Sequence, residues 1–93
     1  MASYRIIVWQ NIPAAVEARD SAGQVNLQLS ERFQALIDSA AMQQGLHDND
    51  GYLEHWGAVE GDRAGSASEV GAAVVAELEA RFPEYIAQAL GRA

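Results

Sequence analysis

The sequence contains no cysteine and no lysine, and both absences limit what the chain can do. Without cysteine it forms no disulfide and offers no thiolate to a metal, so the fold depends on its apolar core. All six basic residues are arginine, against thirteen acidic residues, which gives a net charge of −7. A field of this sign repels phosphate backbones and anionic lipid. The arginines are also scattered, so we expect no nucleic-acid partner; they are Arg5, Arg19, Arg32, Arg63, Arg81 and Arg92.

Long apolar runs are absent as well. The longest run near the start, Ile6 to Trp9, is too short for a membrane span or for the core of a signal peptide. We therefore predict a cytoplasmic protein that does not enter a membrane. The 93 residues make one domain, residues 1–93, with little material for a deep pocket. This size favours a binding or subunit role over that of a self-contained enzyme.

The first thirty residues have the composition and alternation of three β-strands. Residues 3–13 begin with β-branched and aromatic side chains, and Pro13 ends the run. Residues 14–19 and 25–30 alternate apolar and polar side chains with the period of two expected of half-buried strands. The residues between them, DSAGQ, are typical of a hairpin loop.

After Ser30 the apolar residues recur at helical spacing. Ser30 as N-cap and Gly45 as terminator predict a helix at about residues 31–44. Tyr52, Leu53 and Trp56 would share one face of a second, short helix, which Gly57 would end.

A glycine- and serine-rich loop is predicted after Gly57. A capping box of Ser66 and Glu69 then begins a last helical region, which Pro83 interrupts. Strands first and helices afterwards indicate an α+β fold. We predict a small antiparallel three-stranded sheet (β-β-β) followed by three helices packed on one of its faces.

The segment GLHDNDGYLEHW, residues 45–56, holds most of the residues that could carry chemistry. His47 and His55 lie on the two sides of a predicted helix start and lack the i, i+4 spacing of a shared helical face, and a calcium loop counted around Gly51 fails at both ends. The acids fit helix starts instead, as caps and as charges near the positive end of the dipole. We therefore predict no metal, no cofactor and no catalytic residue. A small enzyme using His55 or His47 with a carboxylate stays open as a third hypothesis.

Three large aromatic side chains are notable in so short a chain. Trp9, Tyr52 and Trp56 either pack in the core or form an anchor for a protein partner, since tryptophan and tyrosine are enriched at interface hot spots. A first strand that is apolar on both faces suggests that another chain covers one face or edge. The candidate partner-binding residues are Trp9, Tyr52, Trp56 and the neighbouring His55.

The segments IIVWQNIPAAV, LSERFQALIDSAAMQQGL and YLEHW resemble a family of short bacterial proteins labelled "virulence factor". The resemblance covers about residues 4–56. It implies a small accessory subunit, serving corrinoid or folate one-carbon methyl-transfer enzymes. The matching positions are Trp9, Ile12, Pro13, Arg32, Phe33, Ile37, Asp38, Ala40, Ala41, Met42, Gly45, Leu46, Asp50, Tyr52, Leu53 and Trp56.

Our leading functional hypothesis is a non-catalytic accessory or adaptor protein that binds a protein partner. It is motivated by the small size, the lack of a catalytic constellation, the aromatic residues and the apolar first strand. The alternative is a module that binds a small molecule or a cofactor. A homodimer is compatible with either hypothesis.

Overall fold

The computed structural model describes residues 1–45 and 50–89, and these form an α+β fold of strands and helices. In chain order the elements are β1 (Ala2–Trp9), β2 (Ile12–Asp20), β3 (Gly23–Gln28), α1 (Glu31–Gln43), α2 (Asp50–Glu54), β4 (Trp56–Arg63), α3 (Ala67–Ala80) and α4 (Phe82–Ala89).

The predicted three strands and three helices are wrong, because the described residues form four of each. The sheet is antiparallel throughout, in the order β3-β2-β1-β4. The additional strand, β4, occupies residues that we predicted as the end of a helix and a loop. Gly57 and Gly61 give it low intrinsic strand propensity, so β4 depends on pairing with β1 rather than on its own composition.

β1 lies inside the sheet. Its partners are β2 on one edge and β4 on the other, so the chain itself covers both edges. The expectation that another chain covers an edge of β1 is therefore wrong.

The turn between β1 and β2 is a two-residue hairpin. Gln10 and Asn11 have φ values of 48° and 71°, and Trp9 pairs with Ile12 on either side. Positive φ at both central residues is typical of a type I′ turn, whose twist matches that of the flanking strands. The turn therefore fixes where Trp9 sits at the end of β1.

The helices α1 and α3 pack against one face of the sheet. α3 comes close because of Gly71: a Cβ built there would lie 2.9 Å from Leu27 Cδ1 and 3.4 Å from Val25 Cγ2. The capping box predicted at the start of α3 is confirmed, with both Ser66–Glu69 hydrogen bonds present. The opposite face of the sheet carries polar side chains.

The start of α1 differs from the prediction. Ser30 is the N-cap, but its side chain makes no capping bond. Its hydroxyl and its backbone N–H both donate to the carboxylate of Glu79 in α3, at 2.8 and 2.6 Å. Arg32 donates to the same carboxylate at 3.0 Å. Glu79 therefore joins the start of α1 to α3.

The fold lowers the pKa of four carboxyl groups, those of Asp20, Glu69, Glu77 and Glu79, so its stability depends on pH. Partial burial raises the pKa of Glu79, but hydrogen bonds from Ser30 and Arg32 outweigh it and leave the pKa below its ordinary 4.5. Backbone N–H groups of Ala67 and Ala22 hold the pKa of Asp20 below its ordinary 3.8. In acid the unfolded chain thus binds more protons than the folded one.

We therefore expect stability to be complete above these ordinary values and to be lost as the pH falls through the folded-state values. Thermal unfolding followed by circular dichroism from neutral to acid pH measures this. Glu79→Gln should flatten the profile and Glu31→Gln, an exposed residue of the same helix start, should not. A midpoint that rises in acid would contradict this assignment.

Candidate functional site

The four residues predicted to bind a partner come together at one end of the sheet. Trp9 ends β1 and pairs with Trp56, the first residue of β4. The short helix α2 carries Tyr52, and His55 connects α2 to β4. We call these four residues, Trp9, Tyr52, His55 and Trp56, the aromatic corner.

Trp9 is the centre of the aromatic corner. Its side chain is fully buried, and its indole Nε1–H donates to the Tyr52 carbonyl oxygen at 2.6 Å. A buried indole N–H needs such an acceptor, so this bond fixes α2 against the end of β1.

The other rings pack around this centre. The ring centroids of Trp9 and Tyr52 are 5.5 Å apart, and that of His55 lies 5.6 Å from Trp9, edge-on. Tyr52 and Trp56 also meet edge-on at 6.0 Å. These separations lie in the range that aromatic pairs prefer. Trp56 therefore reaches Tyr52 from a strand, not from the shared helix face that we predicted.

Exposure increases outward from Trp9. Tyr52 and Trp56 are half-buried, and His55 is exposed. Leu53, which follows Tyr52 in α2, has a relative exposure of 66%. Trp9 itself is buried and cannot contact a partner directly. Its role in the corner is to support the side chains around it. Leu53 was not among our candidates, because these were chosen as aromatic side chains together with the neighbouring His55.

The hairpin turn and the end of α1 hold the corner from the other side. The Gln10 N–H donates to the His55 carbonyl at 3.2 Å. The side-chain amides of Gln10 and Gln44 exchange two hydrogen bonds, of 2.8 and 2.7 Å. The backbone on both sides of the corner is therefore fixed to neighbouring elements.

The prediction about His47 falls on residues 46–49, outside the described residues. Within the described ranges, no group of three or more histidine and acidic side chains is placed to hold a metal ion. No described helix is long and apolar enough to cross a membrane.

A concave surface, separate from the aromatic corner, lies on the face of the sheet away from the helices. Its volume is about 460 Å³, and its polar groups largely bind one another. Arg5 lies between Glu17 and Glu60, at 3.9 and 3.5 Å, and Ser3 donates to Asp62 at 2.8 Å. This mixed charge gives the groove no preference for a ligand of either sign.

An acidic side chain without an ion-pair partner among the described residues lies near the corner. Four arginines make ion pairs with glutamates, namely Arg5, Arg32, Arg63 and Arg81. Glu54, next to Leu53, is exposed and takes part in none of the ion pairs among the described residues. Glu54 therefore adds a negative charge beside Leu53, in keeping with the net charge of −7.

The chain was compared with models of known protein families. A family model described as "Virulence factor" matches residues 7–90, which includes β4, α3 and α4 as well as the segments quoted above. No curated protein and no solved structure matches.

Proposed function

The chain belongs to the virulence factor family, and we propose that this member is a non-catalytic accessory protein that binds a partner protein. The binding surface is the exposed part of the aromatic corner together with Leu53.

One observation supports this proposal above others: apolar and aromatic side chains are held at the surface on a rigid support. Leu53 is 66% exposed, and Tyr52 and Trp56 are half-exposed around the buried Trp9. Binding hot spots are enriched in Trp and Tyr within well-packed surroundings. Side chains that are already fixed lose little conformational entropy when a partner binds.

The charge of the surface indicates the chemistry of the partner. Glu54 lies beside Leu53, and the whole chain carries −7. A complementary partner presents an apolar pocket for Leu53 with lysine or arginine at its rim. Association should then be faster at low salt. A cytoplasmic one-carbon methyl-transfer enzyme is the specific partner that the family resemblance suggests.

Changing Leu53→Asp tests the proposal. This residue is exposed, so the fold should tolerate the change, while a charge in the partner's apolar pocket should weaken binding by about 30-fold or more, the scale of a hot spot. The measurement is recovery of the native partner by the tagged chain from the host at low salt, followed by titration of the purified pair.

Ala73→Asp, at an exposed position of α3, is the matched control for the added charge. It should bind like the native chain. Equal binding by the native chain and the Leu53 variant would rule out this surface, even if a partner is captured.

The small-molecule alternative would use the groove beside Arg5. Its volume of about 460 Å³ is sufficient for a small ligand. We favour the corner, because Arg5 of the groove already pairs with Glu17 and Glu60, and Arg19 and Asp62 already bind Gln24 and Ser3.

A further inference from the structure

The outer edge of β4 is a regular strand edge that nothing in the described ranges covers. β4 is the last strand of the sheet and pairs only with β1. Its register with β1 is continuous over Trp56–Arg63, whereas the pairing of β1 with β2 shifts between Ile7 and Val8. Residues 57–60 are all exposed. Natural edge strands are usually protected by proline, a bulge, a covering element or charged side chains, and among the described residues β4 has only the charges of Glu60, Asp62 and Arg63.

The backbone hydrogen bonds determine which residues face outward. In an antiparallel pair, successive residues direct their N–H and C=O groups to opposite edges. Gln10 N–H donates to the His55 carbonyl, and the β1–β4 register places these two residues opposite each other. Counting in steps of two from this hydrogen-bonded pair, the backbone N–H and C=O groups of the odd-numbered residues of β4 face β1. The backbone groups of Ala58, Glu60 and Asp62 therefore face outward.

We propose that a second copy of this chain pairs with this edge, β4 against β4, about a two-fold axis at Val59. Only registers that pair even-numbered residues with even-numbered residues can join two outward-facing edges. An axis at Glu60 would place that carboxylate opposite itself, and an axis at Gly61 would place it opposite Asp62. Like charges directly opposite destabilise a sheet.

An axis at Val59 places no like charges directly opposite one another. It pairs Glu60 with Ala58 and Asp62 with Trp56 of the second copy. It also buries Val59, which is 50% exposed in the single chain, against its own counterpart. The charge of Glu60 is already balanced by Arg5 at 3.5 Å. An axis at Ala58 avoids like charges too, but it leaves Gly61, Asp62 and Arg63 unpaired.

Such a dimer has one continuous antiparallel sheet through both copies. Trp56 lies at the start of β4, so the two aromatic corners lie at opposite ends of the paired strands. A single strand pair buries less area than a standard protein interface, so we expect reversible, concentration-dependent association. This inference does not depend on the proposed partner, because β4 pairs through its backbone.

Sedimentation velocity of the full chain over a dilution series tests the proposal. We expect a monomer–dimer equilibrium. Val59→Lys and Val59→Glu should each weaken it by about tenfold or more, because each places like charges opposite one another across the axis. An equimolar mixture of the two variants should regain association, since unlike charges then face each other.

The control is Asn26→Lys, an exposed residue of the other edge strand, β3, which should dimerise like the native chain. Circular dichroism checks that the variants fold. A chain that stays monomeric at every concentration overturns the proposal. So does a dimer insensitive to the charges at Val59, or a mixture that associates no better than either variant alone. Capture of a different protein's strand at this edge, without self-association, overturns it as well.

Discussion

Replacing Trp9 with alanine is expected to lower the free energy of unfolding by about 3–5 kcal/mol, as for other fully buried large side chains. Trp9 is 0% exposed, and its indole contacts Tyr52 and His55 while donating to the Tyr52 carbonyl. Truncation would leave a cavity beneath the aromatic corner and remove the bond that fixes α2. Urea-induced unfolding followed by circular dichroism gives the difference directly.

Trp9→Phe separates the packing from the hydrogen bond. It keeps an aromatic ring but loses the indole N–H, which should cost about 0.5–1.5 kcal/mol for the hydrogen bond in addition to any loss of packing. If Trp9→Ala unfolds at the same urea concentration as the native chain, Trp9 does not support the corner.

Replacing Phe33 with alanine should have a similar effect, about 3–5 kcal/mol, at the other end of the core. Phe33 is fully buried in α1 and meets two rings of α4 edge-on, with centroids 4.9 Å from Phe82 and 5.9 Å from Tyr85. These contacts attach α4 to the remainder of the fold, so its amides should lose protection from hydrogen exchange first.

Phe33→Leu is a conservative core substitution that can be compared with Trp9→Phe. The comparison separates effects on stability from effects on partner binding. Both variants weaken the core, but only Trp9 lies beneath the proposed binding surface. We expect partner affinity to fall in Trp9→Phe and to be retained in Phe33→Leu at a temperature where both are folded. An equal loss in both variants would mean that binding reports stability alone.

The sequence predicts the fold class and several element boundaries, because those signals are local. The helix expected at residues 31–44 runs from Glu31 to Gln43, and the capping box at Ser66 begins α3 as expected. Each of these depends on residues within a few positions of one another.

β4 could not be predicted in the same way, because it depends on pairing with β1, which is distant in sequence. Gly61 reads as a loop residue, yet a Cβ at this position would lie 2.5 Å from the Tyr4 hydroxyl oxygen. The absent side chain leaves space for the tyrosine ring of the neighbouring strand.

Sequence reasoning named four residues that lie together in the candidate site, but it did not predict their arrangement. The four aromatic-corner residues do lie together, but spacing gave no indication that Trp9 is the buried centre or that Leu53 is the exposed side chain. Likewise, Ser30 was correctly placed at a helix start, while its partner Glu79 is 49 positions away. Contacts of this kind depend on where the fold places the start of α1 and the end of α3, which local sequence patterns do not indicate.

The central claim is that a partner protein sits on the aromatic corner, and site-specific photo-cross-linking in the host tests it most directly. A photoreactive phenylalanine analogue replaces Leu53 in one chain and Ala73, the exposed position on α3, in another. We expect one covalent adduct with a host protein from position 53 and none with that protein from position 73. Absence of an adduct at position 53, or the same adducts from both positions, would contradict the claim.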